Sequence, residues 1–112
     1  MALTTFTGPV RSLNGFITGS SGATVSELSA ATASLDFGSI ATLAQADLTI
    51  TVTGAAVGDY VTLALPAAPT AGIVFNAFVS AADTVTVRAT NATAGSINPA
   101  AATYGVLVIA AA

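Results

Sequence analysis

Residues 48–65 read LTITVTGAAVGDYVTLAL, and their alternation rules out a helix more firmly than anything else in the chain. Leu48, Ile50 and Val52 fall on one face, with Thr49, Thr51 and Thr53 on the other. After residues 54–59 the pattern resumes, with Val61, Leu63 and Leu65 set against Thr62 and Ala64. A period of two in β-branched residues describes half-buried strands, and Gly and Asp between them supply the turn. The six apolar residues are the expected core of this stretch.

The same reading extends over the body. Strands are expected at residues 46–53, 60–65, 73–79, 84–90 and 103–110. Pro66 and Pro69 end the second, because proline donates no ladder hydrogen bond. In the third, Ile73, Phe75, Ala77 and Val79 oppose Val74, Asn76 and Phe78, so Phe78 implies that the second face is covered as well. Residues 80–83 read as a tight turn and 91–99 as a long polar connection. The last strand, TYGVLVIA, is apolar at both parities, as in a strand buried on both sides. Residues 23–33 are Ser/Ala/Thr-rich and weakly patterned, and a helical turn near 25–31 is compatible with them. Residues 35–38 mark a strand end. No repeat of fixed period is present. The expected fold is all-β, an antiparallel β-sandwich or jelly roll.

Residues 1–22, MALTTFTGPVRSLNGFITGSSG, differ from the body, residues 23–112. Gly8-Pro9, Asn14-Gly15 and the 19–22 stretch interrupt them. Asn-Gly between Leu13 and Phe16 signals a type I′ hairpin, and an extended arm with local turns is the alternative. Phe6, Val10, Leu13, Phe16 and Ile17 are apolar, so the segment should dock on something. Gly19-Ser20-Ser21-Gly22 reads as a flexible joint between arm and body.

Composition enters through the surface. Charged residues are 6% of the 112, against about 25% in an ordinary soluble domain. A chain this short leaves about a third or more of its surface exposed as a monomer. Large apolar areas therefore need an oligomer or a partner to cover them. Two arginines and a net charge of −3 argue against nucleic acid. With no Cys, His or Lys, the usual nucleophile–base pairs and thiolate or imidazole metal sites cannot be assembled, so neither an enzyme nor a cofactor is expected. Residues 1–11 lack the basic start and apolar run of a secretory signal. Residues 60–82 are uncharged, but Pro66, Pro69, Gly72 and Asn76 argue against a membrane-spanning helix.

Individual polar residues read mainly as structural. Asp36, Asp47, Asp59 and Asp83 stand beside strand ends or turns, where Asp caps backbone N–H groups. Arg88 either pairs with a carboxylate, across the sheet or across a subunit interface, or stands in solvent. Arg11, inside the arm, suits an acidic partner surface. Asn91-Ala92-Thr93 matches a glycosylation acceptor without the context to use it.

Three phrases resemble bacteriophage virion proteins. FTGPVRSLNGF, residues 6–16, resembles the N-terminal segment of small phage structural proteins. VTGAAVGDYVTLALP, residues 52–66, and DTVTVRATNATAGSINPAAATYGVLV, residues 83–108, resemble the body of phage decoration and head-fibre proteins. The resemblance implies a decoration (cement) protein, a homotrimer on the outer surface of the capsid, bound to the major capsid protein. In that reading Phe6, Pro9, Val10, Arg11, Leu13, Phe16 and Ile17 contact the capsid, and Phe78, Tyr104, Leu107 and Ile109 form the subunit interface. The alternative within the virion is a tail or head-fibre module contacting the host surface. Threonine rows also suggest ice binding, which the absence of a regular repeat disfavours.

Overall fold

The two longest strands, β2 (Thr24–Leu35) and β7 (Ala102–Ala111), form the spine of the molecule, paired antiparallel from Val25–Ala111 to Leu35–Ala102. The computed structural model describes residues 3–111 and contains seven strands: β1 Phe16–Ile17, β2 Thr24–Leu35, β3 Gln45–Thr51, β4 Tyr60–Ala64, β5 Ile73–Ala81, β6 Thr84–Asn91 and β7 Ala102–Ala111. They form two antiparallel sheets, ordered β1-β2-β7-β4 and β3-β6-β5. The protein is an all-β sandwich. The eight strands of a jelly roll are not found among the described residues.

Alternation selects the inner faces. Ile50 and Val52 from the β3 side, Val79 of β5, Val85, Val87 and Ala89 of β6, and Tyr104, Val106 and Val108 of β7 meet between the sheets. Phe37, Phe75 and Tyr104 form an aromatic cluster with ring centroids 5.6–6.0 Å apart, a spacing that favours tilted and edge-on contacts. Leu48, Val61 and Leu63 pack against this core as expected, whereas Leu65 lies past the end of β4 and is exposed. The two halves of the 48–65 stretch are not partners. β3 joins one sheet and β4 the other, so residues 52–59 cross the sandwich.

Two expectations are corrected. Residues 25–31 are not helical. They belong to β2, whose inward positions carry only Ser29, Ala31 and Ala33 before Leu35. Small residues give little hydropathy contrast, and the pairing with β7 decides the conformation. The hairpin also lies one step later than Asn14-Gly15. Phe16 pairs with Val25 and Ile17 with Thr24, so the Gly19–Gly22 stretch lies in its connection. A Cβ at Gly22 would sit 1.8 Å from the Thr18 carbonyl oxygen, which explains the glycine. Residues 13–14 do turn, with Gly15 at φ +89° and the Ser12 hydroxyl donating to the Gly15 carbonyl at 2.7 Å. No strand precedes that turn among the described residues.

Three of the four aspartates cap turns as expected. Asp36 accepts from Gly38 N, Asp59 from Ala56 N, and Asp83 from Gly54 N at 2.8 Å. Asp83 adds two backbone bonds, to Val52 N and Ala55 O, and adopts φ +59°. It thereby fastens the β5–β6 turn to the crossing segment. Asn91 is fully buried and its side chain makes four hydrogen bonds: the amide NH2 donates to Ile40 O and Gly95 O, and the amide oxygen accepts from Thr93 N and Oγ1. The acceptor-like Asn-Ala-Thr triplet is thus an internal clamp at one end of the sandwich.

Candidate interaction surface

Outward-pointing residues of the four-stranded sheet fall into register across three strands. Leu28, Ile109 and Tyr60 make one row, Ala30, Leu107 and Thr62 the next, and Thr32, Gly105 and Ala64 a third. None of the nine is charged. Leu28 is 59% and Tyr60 65% exposed, an unusual cost for large side chains on a free surface. The third row is small because Gly105 carries no side chain. Ala30, Thr32, Thr62, Ala64, Gly105 and Leu107 line an open depression of about 460 Å³ there.

The opposite outer face is built differently. Asp47, Arg88 and Asn76 share a row on β3, β6 and β5, next to the row Thr49, Thr86 and Phe78. Arg88 Nε and Nη2 donate to the two Asp47 oxygens at 2.9 and 3.0 Å, a bidentate pair. The hydrogen bond from Arg88 holds the Asp47 carboxyl below its usual pKa, partly opposed by desolvation and assisted by the charge of the guanidinium. The same guanidinium carbon lies 5.1 Å from the centre of the Phe78 ring, in cation–π range. Thr86 is buried beside them and donates to Ser80 Oγ at 2.7 Å. This face pairs its charged groups within the chain and leaves Val74 exposed.

Residues 3–14 form the third surface. All of them are exposed, and none makes a hydrogen bond to the body. Met1 and Ala2, the start of the expected arm, lie outside the described residues. Phe6, Pro9, Val10, Arg11 and Leu13 fall within this segment, while Phe16 and Ile17 belong to β1 and thus to the sheet.

The four expected interface residues do not form one surface. Leu107 and Ile109 share the uncharged outer face. Phe78 lies on the opposite sheet under Arg88. Tyr104 is 2% exposed inside the core, and burial pushes its phenol pKa up. Its own subunit buries it, so it cannot face another. Leu28 and Tyr60 complete the outer row and were not anticipated. Their strand parity relative to β7 is the signal, and it becomes visible only once the pairing is known.

Among the described residues there is no group of three or more His, Cys, Asp or Glu placed to hold a metal ion, and no helix long and apolar enough to cross a membrane. No protein-family model, curated protein or solved structure matches the chain.

Proposed function

We propose that this is a structural virion protein that decorates a phage capsid and stabilises it by binding. One observation supports the reading: a single small molecule exposes apolar side chains at two separate places, an uncharged sheet face and an N-terminal segment. The sheet face joins copies of the chain into a homotrimer. The N-terminal segment lies on the major capsid protein at the outer surface of the head and adds backbone hydrogen bonds by strand pairing. Three linked segments bind with avidity, so each needs only modest affinity. The resemblance of residues 6–16, 52–66 and 83–108 to phage virion proteins supports the same role, and no chemistry is asked of the protein.

Deleting residues 1–14, which stops short of β1, is the test. The truncated protein keeps its oligomeric state and stops binding stripped heads in a sedimentation assay. Truncated protein that still decorates heads rules this role out for the segment.

A further inference from the structure

β2 has one complete neighbour and one fragment of a neighbour. β7 pairs along its length, while on the other side β1 occupies only Thr24 and Val25. Residues 26–35 have no backbone partner on that side among the described residues. Ten residues make an open edge of about 34 Å at the usual strand rise. Open edges of that length are normally blunted by lysine, proline or inward charge. This one carries a single charge, Glu27, beside a bulge at its end.

The chain itself holds a strand of matching length. β1 runs antiparallel to β2, so the residues before Phe16 lie ahead along the same edge. Continuing the β1 register one for one sets Leu13 opposite Leu28, Val10 opposite Ala31 and Phe6 opposite Leu35. Val10 and Phe6 then cover the flank where Ala31, Ala33 and Leu35 meet the core, and Leu13 covers exposed Leu28. In the present structure the segment leaves the edge at the turn of residues 13–14 and Gly15. A Cβ at Gly15 would lie 2.1 Å from the Val25 carbonyl oxygen, so the departure depends on glycine. Pro9 donates no hydrogen bond, which weakens any pairing along the edge.

We propose that residues 6–13 have a second position, zipped along the open edge of β2 as an extension of β1, with Gly15 as the hinge. The occupant is the chain's own segment and not a second copy, because β1 anchors it at the end of that edge. A tether this short gives an effective concentration in the millimolar range, which a second copy has to match in solution. Zipping hides the open edge and the exposed apolar side chains together, and release presents both. It operates whatever the segment binds when released.

The chain has no cysteine, so an engineered pair reports alone. The full-length double variant Leu13→Cys/Leu28→Cys is oxidised mildly at low micromolar concentration, beside Leu13→Cys/Val74→Cys as control. Leu28 and Val74 are both exposed, on opposite sheets, so neither pair disturbs the core. Directly opposed strand residues lie within disulfide reach. The expected result is an intrachain disulfide, forming about tenfold or more faster than in the control because the ends are held together. Intrachain bonds that form at equal rates in the two variants overturn the proposal.

Discussion

The two outer faces of the sandwich belong to the same small fold and differ in how they treat their side chains. On the three-stranded side the charged, aromatic and hydroxyl groups at the centre have partners within the chain: Arg88 grips Asp47 and lies over Phe78, and Thr86 bonds Ser80, while Val74 alone of the large apolar side chains there stands as open as Leu28. On the four-stranded side Leu28, Tyr60 and Leu107 stand open, and Leu107 borders a depression at Gly105. A chain with 6% charged residues placed one of its two arginines on the first face and no charge in the three central rows of the second. The first face pairs its charges internally, and the second is the one proposed to take a neighbour.

The largest effect comes from placing a charge on the open face. Leu107→Arg buries an unpaired cation in the proposed subunit contact, which costs about 3 kcal/mol and weakens association about a hundredfold. Val74→Arg on the three-stranded face leaves association unchanged. Sedimentation equilibrium of both variants reads the difference, and equal weakening breaks the distinction between the faces.

Next in size, Asn91→Ala removes the buried clamp and orphans the groups it held. Stability of the sandwich falls by about 2 kcal/mol, measured by urea unfolding at a concentration where every variant is in one oligomeric state. Face-to-face association is untouched at temperatures where the variant is folded. A loss of association equal to that of Leu107→Arg merges what the comparison separates.

The smallest effect concerns Asp47. Its carboxyl pKa is depressed in the folded protein, so its contribution is present above the ordinary carboxylate range and disappears as pH falls through the folded value. Asp47→Asn therefore flattens the fall in Tm below about pH 4, and leaves the oligomer alone. An identical acid limb in both proteins removes the pair from the account of that face.

How much of this was legible beforehand depends on the contrast between neighbouring side chains. β3, β4, β5 and β6 alternate sharply, and their extents agree with the sequence to within two residues at each end. β2 alternates between Ser, Ala and Thr, so its pattern is nearly silent and its identity comes from β7. β7 is apolar at both parities, which concealed that Tyr104 faces inward while Leu107 faces outward. The distribution of strands between sheets was hidden for another reason. Adjacent strands such as β3 and β4 can pair or cross, and only the long-range pairings with β6 and β7 decide.

The central claim is that the uncharged face of the four-stranded sheet is covered by other copies of the chain. The molar mass of the full-length protein in solution, by light scattering at working concentration, tests it most directly. The account predicts about three times the 10.8 kDa of one chain, falling to a single chain's mass in Leu107→Arg. A mass of 10.8 kDa for the unmodified protein contradicts it.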